Sequence, residues 1–315
     1  MYSKILAAVC MLLVAVSSVS AKELKVLMIG NSFSVCVGNY LPQIVAADGE
    51  NKLVLTSAYI GGCTLERHYN NLVKAEKEAN FKPYQVKVWD SAVNPVKAKA
   101  VRKNVNELLK NNQYDVISIQ QGSQKSFDFT SYEPYAGEII KYIRKYQKNA
   151  EIVIHQTWAY RVDSPSFKGW KLDQKTMYEK IAAAYRTLAE KHKLRVIPMA
   201  DAVQIYRANT PKKYVPIDRK ATYKFPALPD FSGDVVGVSL WQTNRKVKPP
   251  KRYVHNDYSH LNDQGNYLQA VCWYAFLFNE DAEKITYTPK NINVQDAALL
   301  RKCAKKAIKQ YLQAK

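Results

Sequence analysis

Apolar residues follow two rhythms along the chain. Short continuous runs, each ended by turn residues, occupy 26–29 before Gly30-Asn31-Ser32, 53–60 before Gly61-Gly62, 115–119 before Gln120-Gln121-Gly122, 152–154 before His155, and 195–199. Runs of three to eight residues without polar alternation predict strands buried on both faces. Between them apolar positions recur three and four apart. Leu65, Tyr69, Leu72 and Val73 mark a helix over 65–80; Val101, Val105, Leu108 and Leu109 mark another; Ile139, Ile140, Ile143 and Tyr146 a third. Residues 41–47 and 176–192 read the same way, the latter with Ile181, Tyr185 and Leu188 inward. Residues 84–90 alternate, as a short strand or hairpin arm does. Residues 261–278 predict the last core helix, and 293–315 a basic terminal helix with Ala297, Leu300, Ala304, Ile308 and Leu312 as its docking stripe.

Strands alternating with helices predict an α/β fold, here a five-stranded, mostly parallel sheet covered on both faces. In such sheets ligands sit beyond the carboxyl ends of the strands. That rule gathers Ser32, Gly61-Gly62, Gln121-Gly122 and residues 155–158 on one rim. Residues 207–255, rich in Pro, Tyr and Lys, keep no helical period and read as a long loop excursion over the rim within one domain, 22–315. There is no internal repeat.

Residues 1–21 read as a secretory signal peptide, with Lys4 as its positive end, apolar 5–16, and Val19-Ser20-Ala21 as the cleavage site. That run is too short to span a bilayer, no later stretch is long and apolar enough, and apolar residues continuing past Cys10 argue against lipidation there. The expected location is periplasmic or secreted. The sequence has 47 Lys and Arg against 27 Asp and Glu, a formal +20; Lys4 is the only charge in the leader, so +19 remains after cleavage. This excess suits an acidic polysaccharide or an anionic cell surface, while nothing resembles a nucleic-acid motif. Of the four cysteines beyond the leader, Cys36 and Cys63 each follow a rim turn and either pair or stay free; no His, Cys or carboxylate spacing matches a metal site.

Ser32 ends a buried strand, and a serine is a nucleophile only beside a base. Asp257-Tyr258-Ser259-His260 supplies one: the three-residue spacing lets Asp257 hold His260 Nδ1–H and leaves Nε2 for Ser32. Acyl transfer also needs donors for the oxyanion. The Ser32 N–H, the Gly62 N–H and the Gln121 side-chain amide are the candidates. His155 and Trp158 either line the substrate cleft or belong to the structure beneath it. Trp158, Tyr160 and Trp241 either stack on a sugar or fill the rim.

Each motif is weak alone; their order and placement carry the reading. The chain resembles the SGNH hydrolase superfamily, also called GDSL esterases and lipases. Gly30-Asn31-Ser32 matches its first block with Asn31 in place of Asp, Gly62 its second, and Asp257-x-x-His260 with Leu261-Asn262 its fifth. Gln121-Gly122 replaces the third block's Gly-x-Asn, as in the branch holding sialate and xylan acetylesterases. The resemblance implies a flavodoxin-like three-layer α/β/α sandwich and a serine esterase that needs no metal or cofactor. The substrates it implies are small acyl, chiefly O-acetyl, esters of carbohydrate. The departures at Asn31 and Gln121 leave a second reading, an inactive glycan-binding protein of the same fold. A nucleotide-binding flavodoxin-like domain fits less well, because the turn after strand one lacks a Gly-x-Gly-x-x-Gly cradle.

Overall fold

The structure, a computed structural model, describes residues 21–93, 96 and 98–313. Apart from Ala21, the expected leader lies outside the described residues.

The first half runs β1 (Glu23–Gly30), α1 (Ser32–Val35), α2 (Leu41–Asp48), β2 (Lys52–Tyr59), α3 (Leu65–Lys77), β3 (Tyr84–Asp90), β4 (Ala100–Lys103), α4 (Val105–Asn111), β5 (Val116–Ile119) and α5 (Tyr135–Tyr146). The second continues with β6 (Glu151–His155), α6 (Ser166–Trp170), α7 (Gln174–His192), β7 (Arg195–Ile197), α8 (Met199–Asn209), β8 (Val236–Asn244), β9 (Lys251–Leu261), α9 (Asp263–Phe278) and α10 (Val294–Gln313). Polar residues start the helices where the sequence places them. Asn31, Thr64, Asp173 and Asn262 each accept a backbone N–H of the first turn, and Asn104 and Glu107 close a reciprocal capping box.

The main sheet has strand order β4-β3-β2-β1-β5-β6-β7 among the described residues. Its five parallel strands, β2-β1-β5-β6-β7, have the flavodoxin-like order, which reverses direction between β1 and β5. Helices α3, α4 and α5 pack together on one side; α2, α8, α9 and α10 pack together on the other. Val26, Leu27, Met28 and Ile29 of β1 are buried, each side chain stabilising the fold by about 1.5–3 kcal/mol. Helix α9 is apolar almost all round because neighbours enclose it, so it is buried from Tyr267 through Phe278.

The expected five strands become seven. Strand β3 pairs antiparallel with β2, and β4 pairs antiparallel with β3. Every residue of β4 is exposed, so it lacks the one-sided pattern of a strand, and Val101 had appeared to open the helix that begins at Val105. The expected excursion also changes character. Its start lies in α8, and β8 and β9 form an antiparallel hairpin that, among the described residues, has no partner in the main sheet. Along α10 the docking stripe holds through Ala297, Leu300 and Ala304, but Leu312 is 54% exposed.

Candidate active site

Asn31 fixes the turn after β1. Its backbone is extended (φ −132°), its Oδ1 accepts the Phe33 N–H, and Ser32 becomes the first residue of α1. Its Nδ2 donates to the carbonyls of Cys63 (3.1 Å) and Gln121 (3.2 Å). One buried amide therefore ties together the turns that follow β1, β2 and β5. The sequence marked Asn31 only as a departure from a motif.

His260 reaches the same place from a bulge in β9. The ladder pairs Val238 with Asp257, then Val236 with Leu261, so Tyr258, Ser259 and His260 stand opposite Gly237 alone. Gly237 has φ +93°, and a Cβ there would lie 2.6 Å from Arg161 Nη1 and 2.9 Å from the Asp257 carbonyl. Glycine is what allows the bulge to close down.

The bulge delivers His260 Nε2 to 2.8 Å from Ser32 Oγ. His260 Nδ1 lies 2.6 Å from Asp257 Oδ2. Asp257 Oδ1 accepts the N–H groups of Ser259 (2.8 Å) and His260 (2.9 Å) and the Ser259 hydroxyl (3.1 Å). Burial pushes the Asp257 carboxyl up, but the bonds from His260 and Ser259 outweigh it and hold the group well below the usual carboxylate range. Asp257 is thus an anion facing Nδ1, and Nε2 faces the serine. The His260 side chain is 44% exposed, so the site opens to solvent.

Aromatic packing sets the imidazole. Trp158 stacks on Phe33 with centroids 4.1 Å apart, and Phe33 meets the His260 ring edge-on at 5.4 Å. Trp158 Nε1 donates to the Ser259 carbonyl at 2.8 Å, which ties the bulge to the end of β6. Beneath Tyr258 lies a fully buried Arg161, bonded by Nε and Nη2 to Asp163 and flanked by the rings of Tyr214 and Tyr258. Its backbone N–H donates to the Tyr258 carbonyl. The only sequence signal for this support is a cation directly after the apolar, aromatic run 158–160.

The oxyanion candidates divide. Gly62 has the left-handed φ of +58°, open space where a Cβ would point, and a carbonyl held by Gln124. Among the described residues, the N–H groups of Ser32 and Gly62 have no protein acceptor. Gln121 is different. Its Nε2 donates to the carbonyl (3.0 Å) and hydroxyl (3.1 Å) of Ser131, and its Oε1 accepts from the N–H groups of Leu65 and Gly122. Both amide hydrogens are engaged away from Ser32, so the expected side-chain donor is a structural crosslink.

His155 and Trp158 are likewise corrected: both are fully buried and neither lines the cleft. His155 lies edge-on to Trp273, its ring nitrogens 3.0 Å from Gln120 Nε2 and 3.1 Å from Gln269 Nε2. Burial lowers its pKa to about 3. A neutral imidazole has one donor and one acceptor, so one of these amides presents oxygen instead; Gln120, whose Oε1 is otherwise unpartnered, is the one that gains. Cys36 donates to Gln269 Oε1 and Cys63 is buried; both are free thiols, pushed up to about 12 by burial. Among the described residues, no three His, Cys, Asp or Glu side chains are grouped to hold a metal ion.

Comparison with protein families matches residues 25–219 to the domain of unknown function DUF4886. The chain belongs to the DUF4886 family. The match covers Ser32, Gly62 and Gln121 and ends before the hairpin that carries Asp257 and His260. A crystal structure of a DUF4886 family protein from Bacteroides uniformis ATCC 8492 extends the likeness beyond it, at 26% identity and TM-score 0.71, covering 91% of this chain and 95% of that one. Two more distant structures are an acetyl xylan esterase and a member of the lipolytic protein G-D-S-L family from Veillonella parvula DSM 2008. The first has 14% identity and TM-score 0.44, over 80% of this chain and 99% of that one. The second has 14% identity and TM-score 0.40, over 82% and 100%. No curated protein matches the chain.

Proposed function

We propose that this DUF4886 protein is a serine esterase that removes small acyl groups, chiefly acetyl, from carbohydrate hydroxyls. The observation that carries the reading is the aligned set Asp257–His260–Ser32, with contacts of 2.6 and 2.8 Å. Ser32 Oγ attacks the ester carbonyl and gives its proton to His260 Nε2. Asp257 fixes the tautomer and stabilises the imidazolium. The N–H groups of Ser32 and Gly62 receive the oxyanion. Collapse expels the sugar hydroxyl, protonated by His260, and leaves an acyl-serine. Water, deprotonated by His260, then releases the carboxylate and restores the enzyme. The reading of residues 1–21 as a signal peptide supports an activity outside the cytoplasm.

The engagement of Gln121 with Ser131 favours one other reading, a glycan-binding protein without turnover. Release of p-nitrophenol from p-nitrophenyl acetate, and of acetate from acetylated xylan, separates the two. An esterase turns over both and loses at least 10³-fold in rate with Ser32→Ala, in line with losses at other triads. Glycan binding with no wild-type turnover would establish the second reading.

A further inference from the structure

The β8–β9 hairpin has two unlike faces. On the back, Trp241 and Arg252 pack against Phe225, and Trp241 Nε1 donates to the Ala227 carbonyl, so the loop around Phe225 covers that side. The ladder keeps one register from Asn244–Lys251 to Val238–Asp257. Alternation therefore puts Leu240, Gln242, Lys251, Tyr253 and His255 on the other face, the one that also carries Asp257. This front is uncovered. Leu240 is 38% exposed and Tyr253 45% exposed, with the Tyr253 hydroxyl donating to Gln242 Oε1. Asp257 lies six steps along the strand from Lys251, a run of about 20 Å at a strand's rise per residue.

Charge distinguishes the far end. Five of the eight residues 245–252 are Lys or Arg and none is acidic. All five are exposed, and among the described residues none pairs with a carboxylate. A single-sign tip joined to the active-site bulge by an open aromatic face is complementary to an extended anionic chain.

We infer that the front face of the β8–β9 hairpin is a binding track for a carboxylate-bearing polysaccharide, leading the chain from the basic tip to Ser32. The inference deepens the esterase reading and rests on it. Tyr253, with Gln242 beside it, offers a ring face and an amide edge to a sugar. The tip lysines meet carboxylates without the desolvation cost of a buried pair. An anionic membrane fits less well. The front's exposed apolar side chains are only Leu240 and Tyr253, and at the back Phe225 lies under Arg252, so no continuous apolar face is left to insert.

The test is equilibrium binding by the full chain carrying Ser32→Ala, so it needs no turnover and failure of the esterase reading would leave it readable. The probes are polygalacturonate, neutral xylan and anionic phospholipid vesicles. Polygalacturonate should bind more tightly than xylan at about 50 mM salt and lose most of that advantage at about 500 mM, where the Debye length shrinks to a few ångströms. Adding K246A/K248A/K251A should weaken polygalacturonate binding at least tenfold. The charge-matched K302A/K306A/K309A on α10 should change it less than twofold. Tyr253→Ala should weaken both polysaccharides, with the thermal midpoint of each variant verifying its fold. Equal effects of the two triple variants, no preference for polygalacturonate, or tighter binding to vesicles that displaces the polysaccharide would each overturn the inference.

Discussion

Replacing Gln121 with alanine separates a crosslink from an oxyanion donor. In the wild type its side chain serves the N–H groups of Leu65 and Gly122 and the carbonyl and hydroxyl of Ser131, all around a buried side chain. Alanine leaves three backbone groups without that partner. Each orphaned buried group costs about 1–3 kcal/mol. With part of this relieved by water and relaxation, the total is about 3–5 kcal/mol. In a chain of this size, at about 2.1 cal/mol/K of unfolding entropy per residue, that lowers the thermal midpoint by about 5–8 °C. The donors assigned to the oxyanion in the proposed mechanism, by contrast, are the Ser32 and Gly62 amides, and they remain. Turnover of p-nitrophenyl acetate by the folded variant, measured well below its midpoint, should therefore fall less than about tenfold, against the 10²–10³-fold typical of a lost oxyanion donor. Thermal melts and kcat on the same preparation give both quantities. A midpoint within 2–3 °C of wild type, together with a kcat loss above about 100-fold, would refute the reasoning and return Gln121 to the oxyanion hole.

Three other perturbations follow from the same geometry. Trp158→Phe keeps the stack on Phe33 but orphans the Ser259 carbonyl; kcat should fall several-fold with KM nearly unchanged, at about 1–2 kcal/mol of stability in a melt. Asn31→Asp recreates the common motif yet turns a donor into an anion facing the carbonyls of Cys63 and Gln121, so it should destabilise by about 3 kcal/mol or more and cut turnover; a neutral or improved variant would contradict the bonding at Asn31. Burial lowers both His68 and His155 to about 3. The unfolded chain takes up these protons near pH 6.5 and the native state does not, so stability is full above 6.5 and lost as pH falls from there toward 3, by about 1.4 kcal/mol per pH unit per histidine. Melts at pH 7, 6 and 5 should show this loss, and His68→Asn should make it shallower; a flat profile would place solvent at both rings.

Much of the fold was legible because parallel strands buried on both faces appear as near-continuous apolar runs, and β1, β2, β5, β6 and β7 do, broken only by buried Thr56-Ser57 in β2 and Ser118 in β5. The strands that escaped are those without a buried face. Ala100–Lys103 is exposed throughout, and the outer part of the β8–β9 hairpin leaves its front open, so neither carries the alternation that hydropathy detects. At the site, Ser32, Asp257 and His260 could be read because spacing and strand ends constrain where short side chains go. Gln121, His155 and Trp158 could not, because their rim position was right but their direction was set by partners remote in sequence: Ser131, Gln269 and Ser259. Asn31 was visible only as a substitution; the two carbonyls it binds come together only in the folded sheet.

The most direct measurement is to treat the protein with an organophosphonate that traps serine nucleophiles and map the adduct by peptide mass. The expected result is one phosphonyl group on Ser32, formed at least about 100-fold more slowly in His260→Ala, as loss of a general base requires. No adduct, an adduct on Ser34 or Ser259 instead, or an unchanged labelling rate in His260→Ala would contradict a serine nucleophile activated by His260.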